Sequence, residues 1–432
     1  ALRMTARAPS QRPPPRSQPP APLERRGGQL RERRITLAVS GSIAAFKSVA
    51  VARLLVTEGA RVRTLFTRSA SHFVGAATFA GITGAPVLSD MFDPNVAGEL
   101  HVDIASKTDL MLIVPATADL LARLAAGRAD DLVAATALCC TCPVLVAPAM
   151  HPAMWAHPAT QRNVETLATD GRIERVGPVY GEVASGEHGI GRMSEPEAIV
   201  EAALVALSPH DLRGRHIVVT AGPTIEDIDP VRFLSNRSSG KMGFAVAARA
   251  AARGARVTLI AGPTGLPSPH GVNRVDVRSA IAMRGAVWQA LGPDLSSADA
   301  LVMAAAVGDY RPAETHATKL KRQAERLQLE LSQNPDILAE IGAARAGARP
   351  VLVGFAVEAD EGDKVVAFAR GKLDAKRVDI VVANHADDAF GKDDNRVTLV
   401  TREGVQPLAR GKKIELADPI LDFVARKLDE LR

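Results

Sequence analysis

The sequence predicts an α/β protein built from two three-layer domains, each with a mostly parallel sheet between helices. After residue 34, short apolar runs typical of buried strands alternate with longer amphipathic segments typical of helices. The polar, turn-rich stretch 208–214 interrupts this series once, and a second series then begins. Because 432 residues suffice for two full cores, we expect a domain boundary near residue 210.

The first predicted domain, residues 35–210, begins with the strand Ile35–Val39 and a helix from Ala44 to about Glu58. The later elements of this half are a strand at Val62–Phe66, a strand at Leu110–Val114, helices between Ala118 and Cys140, and a strand at Val144–Ala147. This order indicates a βαβ series. The turn Ser40-Gly41-Ser42 should therefore lie at the carboxyl edge of the sheet, where such folds bind ligands.

The second predicted domain, residues 211–432, begins with the strand His216–Thr220 and a helix after Gly240. Its later strands are expected at Arg256–Ile260, Leu301–Ala304, Val351–Phe355 and Asp379–Ala383. The run 231–243 places a glycine, small hydroxyls and cations before an alanine-rich helix, and free N–H groups at a helix start bind anions. The chain thus has two nucleotide-type sites, and since neither carries G-x-G-x-x-G, a nicotinamide dehydrogenase is disfavoured.

The positive charge of the chain is a property of its first segment. The net charge is +5, yet residues 1–34 alone contain nine arginines against two glutamates. This Arg- and Pro-rich tail is too poor in apolar residues to fold, so we expect disorder, with binding of RNA or a partner as the minor alternative. For the remaining chain we expect no nucleic-acid partner. Without a membrane span or signal peptide in the sequence, we expect a cytoplasmic protein.

The three cysteines, Cys139, Cys140 and Cys142, are crowded together and resemble a metal cluster at first sight. Adjacent cysteines cannot easily point at one ion, and no second Cys or His pair stands at zinc spacing. We therefore expect small buried residues between a helix end and a strand.

From about Ile35 to Arg432 the chain resembles the bifunctional bacterial coenzyme A biosynthesis proteins, in which a phosphopantothenoylcysteine decarboxylase is fused to a phosphopantothenate-cysteine ligase. Each motif alone is weak, but their order and joint presence are specific. The motifs are Gly-Ser-Ile-Ala-Ala-Phe-Lys (41–47), Pro-Ala-Thr-Ala-Asp (115–119), Ala-Gly-Arg-Ala-Asp-Asp-Leu (126–132), Pro-Ala-Met-His-Pro-Ala-Met-Trp (148–155), Thr-Ala-Gly-Pro-Thr (220–224), Ser-Asn-Arg-Ser-Ser-Gly-Lys-Met-Gly (235–243), Ala-Ala-Val-Gly-Asp-Tyr (305–310), Asn-Pro-Asp-Ile-Leu (334–338) and Gly-Phe-Ala-Val-Glu (354–358).

For the first half, the resemblance implies a flavodoxin-like, FMN-binding decarboxylase domain, and for the second a Rossmann-like ligase domain. Gly41 and Ser42 at a helix start could take the FMN phosphate, although a plain strand-to-helix turn would have the same residue types. The inferred flavin contacts are Gly41, Ser42, Thr67, Thr117 and Met150. By the family route, FMN oxidises the substrate thiol, the carboxylate leaves as CO2, and the reduced flavin returns the electrons.

The decarboxylase half departs from the family pattern at two of its expected catalytic positions. His101 matches the active-site histidine, but His151 stands where many relatives have Asn, and Ser185 stands where many have a flap Cys. A protonated His151 would suit a substrate carboxylate. Serine is a far poorer proton donor than a thiol with a pKa near ~8.5, so we hypothesise that His188 or His151 supplies the proton. A solvent-exposed flap histidine is the alternative.

For the ligase half, the resemblance implies that CTP activates the carboxylate of 4'-phosphopantothenate as an acyl-cytidylate before cysteine attacks. Arg232 and Asn236 match residues that bind phosphopantothenate and assist that attack. Mg2+ is expected on the phosphates, and its protein ligands are unknown. The residues implied for the CTP site are Asp309, Lys319, Pro335, Asp336, Ile337, Leu338, Phe355, Lys372 and Lys376.

Sequence alone leaves several alternatives open. Asp309 could simply end a strand in a turn, and a Lys pair at i and i+4 is often solvated helix surface. The resemblance implies homo-oligomers with a trimeric flavin domain and a dimeric ligase domain. Because of Ser185, the alternative function is an active ligase fused to a flavin-binding regulatory or scaffold domain with impaired decarboxylation. A flavin cysteine decarboxylase acting on another substrate is disfavoured by the ligase motifs.

Overall fold

The computed structural model of the chain describes residues 28–93, 98–321, 327–358, 363–385 and 393–431. Most of the expected disordered tail lies outside these residues. Residues before the expected start at 35 belong to the fold, because Leu30 is only 1% exposed and its N–H donates to the carbonyl of Glu58. In the described residues, no helix combines the length and the apolar character that crossing a bilayer requires.

The first sheet contains five parallel strands in the order β2-β1-β3-β4-β5, which is the flavodoxin-like order. The strands are β1 (Arg34–Val39), β2 (Arg61–Phe66), β3 (Leu110–Ala116), β4 (Val144–Pro148) and β5 (Ile173–Arg175). The helices are α1 (Ala45–Thr57), α2 (Ala76–Thr83), α3 (Leu100–Ser106), α4 (Ala118–Ala125), α5 (Leu132–Cys139), α6 (Pro152–Ala156), α7 (Pro158–Thr169) and α8 (Pro196–Ala206), with a 3-10 turn at Ala70–His72.

An antiparallel hairpin, which we call the flap, projects from this first unit. It consists of β6 (Val179–Glu182) and β7 (His188–Arg192), with residues 183–187 at its tip. The flap packs against the segment after β4, where the N–H of Met150 donates to the carbonyl of Gly191. A Cβ at Gly191 would lie 2.4 Å from the carbonyl oxygen of Met150, so this close approach requires glycine.

The second sheet has eight strands in the order β12-β11-β8-β13-β16-β17-β19-β20, of which the last two join antiparallel. The strands of this half are β8 (His216–Ala221), β9 (Ile225–Asp227), β10 (Phe233–Ser235), β11 (Arg256–Ala261), β12 (Val272–Asp276), β13 (Ala300–Met303), β14 (Tyr310–Pro312), β15 (Leu331–Gln333), β16 (Val351–Glu358), β17 (Ile380–His385), β18 (Asp394–Asn395), β19 (Val397–Val400), β20 (Val405–Pro407) and β21 (Gly411–Lys412). The helices are α9 (Lys241–Ala252), α10 (Ala280–Leu291), α11 (Ile337–Ala344), α12 (Asp363–Ala375) and α13 (Lys413–Glu430).

The α/β class and the mostly parallel sheets are confirmed, with strand limits within three residues of the expected ones. The expectation for the cysteines is wrong in part. Cys140 is buried at the end of α5, whereas Cys139 is exposed because the last turn of that helix presents Leu138 and Cys139 to solvent. All three are free thiols. Cys140 packs its sulfur 3.9 Å from that of Met111.

Candidate active sites

The expected flavin residues lie along one edge of the first sheet. Gly41 and Ser42 follow β1, Thr67 follows β2, Thr117 follows β3 and Met150 follows β4. These four strands are neighbours and parallel, so their carboxyl ends meet at the same edge. The sheet order reverses between β1 and β3, and α/β folds bind ligands in the crevice at such a point.

The turn after β1 is tight and contains a polar atom without a partner. A Cβ at Gly41 would lie 2.3 Å from Cβ of Ser69, so only glycine fits against the loop after β2. Oγ1 of Thr67 is buried and has no hydrogen-bond partner within the described residues. A buried hydroxyl left without a partner costs free energy, and the site therefore fits a ligand with polar atoms at this point.

The start of α1 is suited to an anion. Its N-cap position, Ala44, supplies no side-chain hydrogen bond, and the first turn contains no acidic residue. Oγ of Ser42 accepts the N–H of Ala44 at 3.3 Å. Across the crevice, the N–H of Thr117 donates to Oγ of Ser40, which donates to the carbonyl of Pro115 at 2.7 Å. The residues of this edge thus fit the phosphate and the polar groups of FMN.

The flap carries Ser185 at its exposed tip, and Glu187 of the same tip contacts His151. Nδ1 of His151 accepts the N–H of Ala153 at 3.2 Å, which caps the start of α6. Nε2 of the same ring lies 2.5 Å from Oε2 of Glu187 in the flap. Both ring nitrogens therefore have protein partners, and a substrate carboxylate would compete with Glu187 for Nε2. His188 is exposed on the flap.

His101 lies in the first turn of α3. Its Nδ1 is buried and has no hydrogen-bond partner in the part of the chain that the structure describes. No hydrogen bond of that part joins His101 to Gly41, Ser42 or Thr67. The helix α3 packs instead against α5.

A cavity of about 590 Å³ opens at the carboxyl edge of the second sheet. The sheet order reverses between β8 and β13, and the loops that follow these strands meet there through the bond from the N–H of Ala306 to the carbonyl of Gly222. Eight of the nine residues expected at the CTP site line this cavity: Asp309, Pro335, Asp336, Ile337, Leu338, Phe355, Lys372 and Lys376.

Lys372 near the end of α12 and Lys376 just after that helix are held at the cavity by different contacts. Nζ of Lys376 lies 2.8 Å from Oδ2 of Asp336, whose Oδ1 caps α11 by accepting the N–H of Ala339. Nζ of Lys372 lies 4.5 Å from the ring centroid of Phe368. Because both side chains are half-buried and line the cavity, they are more than solvated helix surface.

Lys319 does not line the cavity. Lys319 is exposed and directly precedes Leu320, whose backbone groups are bound by Asp229 and Arg232. Nη2 of Arg232 donates to the carbonyl of Leu320 at 2.9 Å and to Oδ2 of Asp229 at 2.6 Å. The N–H of Leu320 donates to the same carboxylate at 3.1 Å. The structure thus brings the expected residue Arg232 together with the segment that carries Lys319.

Hydrogen bonds set the charge state of this cluster. Burial alone would raise the pKa of Asp229, but bonds from the guanidinium of Arg232 and from backbone N–H groups outweigh it and hold the pKa well below its ordinary value. A carboxylate whose pKa is depressed by folding stabilises the protein above the unfolded-state pKa of about 3.9, and this contribution is lost as pH falls through the folded pKa.

We expect Asp229→Asn to lower the ligase rate roughly 10- to 100-fold, because the segment that carries Lys319 loses the carboxylate that fixes it. The variant should also melt at a lower temperature than the wild type at about pH 7, and the two melting curves should converge below about pH 4. Pyrophosphate release and thermal denaturation over a pH series measure these effects. A difference in melting temperature that persists unchanged into strong acid would contradict the assignment.

Asn236 lies in the loop between β10 and α9 and contacts the wall of the cavity. Its Nδ2 donates to the carbonyls of Ala306 and Val307, at 3.2 and 3.1 Å. These two residues belong to the loop after β13 that lines the cavity. The side chain is otherwise exposed, so it is available to a substrate that extends from the cavity.

The structure adds cavity residues that sequence reasoning missed. The cavity is also lined by Lys413, Asn384 and Asn395, which come after the last expected motif in the sequence. Lys413 starts α13, and the buried residues of that helix recur at Leu416, Ala417 and Ile420. A lysine at a position of this apolar face is the one sequence signal that could have found it.

Comparisons with known proteins match each half of the chain to a family model. The family model "DNA/pantothenate metabolism flavoprotein C-terminal domain" matches residues 212–428, and the model "Flavoprotein" matches residues 23–207. The coenzyme A biosynthesis bifunctional protein CoaBC of Mycobacterium tuberculosis is 46% identical over 407 residues, which cover 91% of this chain and 96% of the relative. The Escherichia coli protein of the same name is 40% identical over 409 residues, covering 93% and 98%.

A solved structure of the C-terminal domain of a CoaBC protein is 37% identical, with a TM-score of 0.43, and covers 51% of this chain and 99% of that domain. Both family models are matched in order, and the full-length relatives are covered almost from end to end. The chain belongs to the family of bifunctional coenzyme A biosynthesis proteins, which combine a decarboxylase and a ligase.

Proposed function

We propose that this chain condenses 4'-phosphopantothenate with cysteine at the expense of CTP and decarboxylates the product to 4'-phosphopantetheine. The observation that supports the ligase step is the cavity at the second sheet. Eight of the residues that line it are expected at a nucleotide site, and four of the lining residues are lysines, two of them among these eight. The assignment of ligation to residues 211–432 and of decarboxylation to residues 35–210 is part of the proposal.

In the ligase step, a carboxylate oxygen of phosphopantothenate attacks the α-phosphorus of CTP, the bond to the β-phosphate breaks, and pyrophosphate leaves. The amine of cysteine then attacks the acyl carbon, loses a proton and releases CMP. Phe355 and the segment 335–338 would frame the base, and Lys372 and Lys376 would face the phosphates. Mg2+ would bind phosphate oxygens and water, and so would need few protein ligands.

We assign Asn236 to the reacting carboxylate. Its side-chain amide is anchored to the loop that lines the cavity, and with substrate bound it would turn an N–H group from these carbonyls to the acyl oxygen, where an oriented donor stabilises the charge that develops during attack. Lys319 and Arg232 lie in a cluster that Asp229 fixes. We propose that they bind the anionic groups of phosphopantothenate and of the activated intermediate.

In the decarboxylation step, FMN would supply the redox chemistry at the substrate thiol. The start of α1 with Gly41 and Ser42 would hold its phosphate, and Thr67, Thr117 and Met150 would contact the rest of the cofactor. The flap would cover the substrate and exclude water, and His151 would orient the carboxylate that leaves. His101 would act as a base on the substrate, because its buried Nδ1 has no hydrogen-bond partner among the described residues.

We also propose a cytoplasmic homo-oligomer with a trimeric flavin domain and a dimeric ligase domain. Large apolar side chains are exposed in both halves of the described chain, which suits interfaces between copies. In the first half they include Ile43, Phe46 and Phe73, and in the second half Val231, Phe233 and Tyr310.

The exposed Ser185 favours a second candidate function, in which the ligase is active and the flavin domain binds FMN without efficient decarboxylation. The experiment that tests both uses purified protein with phosphopantothenate, cysteine and either CTP or ATP. We expect a bound flavin spectrum and CTP-dependent pyrophosphate release. If ATP supports the reaction equally well, the proposed nucleotide is wrong; if neither nucleotide yields pyrophosphate, the proposed ligase function is wrong.

A further inference from the structure

The buried Lys413 faces the ligase cavity from a part of the chain that none of the expected motifs includes. The residue is 4% exposed, and it lines the cavity together with Lys241. Burying an ammonium group costs free energy that packing alone does not return. Lys413 also occupies a position on α13 where the following turns place Leu416 and Ala417 in the core. An apolar residue there would serve the fold better.

A short ribbon brings Lys413 to the start of α9. Asn395 pairs with Gly411 and Asp394 with Lys412 in the β18–β21 ribbon, and the N–H of Lys413 donates to the carbonyl of Asp393 at 3.0 Å. The side chain of Asp393 in turn lies 2.6 Å from Nζ of Lys241, the first residue of α9. Two cations from distant parts of the sequence therefore lie at one end of the cavity.

The charges around Lys413 favour an anion. Burial lowers the pKa of the Lys413 ammonium, repulsion from Lys241 lowers it further, and attraction from Asp393 and Asp394 acts in the opposite direction. The first turn of α9 also favours an anion, because it is the positive end of the dipole of a twelve-residue helix. This turn has no side-chain cap and no acidic residue. Among the described residues that line the cavity, four lysines stand against two aspartates.

We propose that Lys413, with Lys241, binds the terminal phosphates of the nucleoside triphosphate, the part that leaves as pyrophosphate. This assignment rests on the proposed ligase function and gives it a second phosphate-binding element besides α12. The wall behind Lys413 is fixed by a buried bond from Nδ2 of Asn395 to Oδ1 of Asn384, at 3.1 Å. Both amides line the cavity, so the ribbon is part of the site.

The test is the affinity of the full-length protein for three probes, MgCTP, magnesium pyrophosphate and CMP, measured by calorimetry. Lys413→Met should weaken MgCTP and pyrophosphate roughly tenfold to a hundredfold, the value of one lost charge-assisted hydrogen bond, and should leave CMP unchanged. Lys241→Met should show the same pattern. Lys427→Met is the matched control, because Lys427 lies on the same helix and pairs with Glu403 and Glu430 at the surface.

Thermal denaturation without ligand separates this assignment from a structural role. If Lys413 serves ligand binding, Lys413→Met should lose affinity for MgCTP and pyrophosphate whether or not its melting temperature changes. A variant that melts lower and binds all three probes like the wild type would overturn the assignment, as would an equal loss for CMP. If the wild type itself binds neither MgCTP nor pyrophosphate, the proposed ligase function fails instead.

Discussion

Gly41→Val is expected to yield a protein that purifies without flavin and releases no CO2, while its ligase activity persists. A side chain at this position would collide with Cβ of Ser69 at 2.3 Å and with the backbone carbonyl carbon of Ser69 at 2.9 Å. The backbone atoms of Ser69 cannot rotate out of the way as a flexible side chain can. The turn after β1 must therefore move away from the loop after β2. The affinity for FMN should fall roughly 100-fold, which is the scale of overpacking a tight site.

Gly81→Ala is the matched control for this effect. Gly81 lies in α2 of the same domain, and no atom would lie within 4 Å of an added Cβ. This variant should keep its flavin and gain slightly in stability, because alanine is the better helix former. The absorbance spectrum of the purified proteins measures bound flavin. A Gly41→Val protein with full flavin content would show that the turn after β1 does not hold the cofactor.

Asn236→Ala should lower CTP-dependent formation of phosphopantothenoylcysteine by roughly 10²- to 10³-fold, the cost of losing one oriented donor at a developing oxyanion. The side chain is exposed apart from its bonds to Ala306 and Val307, so the fold should survive. Flavin content should not change. Single-turnover measurement of pyrophosphate and of amide product separates the two half-reactions.

The control for this variant is Asn273→Ala, at an exposed position on β12 away from the cavity. It should retain the wild-type rate. If the rates of both half-reactions fall less than about threefold in Asn236→Ala, then Asn236 only holds the loop that it contacts. The reacting carboxylate must in that case be bound by other residues.

The sequence predicts the two sheets well because their strands are apolar on both faces, a pattern that few other structures produce. The strands Ile35–Val39 and His216–Thr220 are confirmed to within one residue at each end. The antiparallel end of the second sheet was missed. β20 (Val405–Pro407) is short and exposed, and it carries no periodic apolar signal.

The residues of the sites could likewise be predicted where they stand in local sequence motifs, and not where tertiary contacts alone position them. Gly41 and Asp336 stand in local motifs, so their places at a strand end and a helix start follow from neighbouring residues. Lys413 reaches the cavity through the pairing of two short, polar strands, β18 and β21. Tertiary contacts of this kind leave little trace in local sequence. The contact between His151 and Glu187 likewise depends on how the flap folds back on α6.

The most direct test of two linked activities in one chain is to follow pyrophosphate and CO2 separately in one reaction. Purified protein, with its flavin spectrum recorded, is given phosphopantothenate, cysteine and CTP. The account predicts pyrophosphate first, then CO2 in nearly equal amount, and no CO2 when CTP or cysteine is omitted. Pyrophosphate without CO2, even when phosphopantothenoylcysteine is supplied directly, would contradict the decarboxylase assignment and leave a ligase joined to a flavin domain of another role.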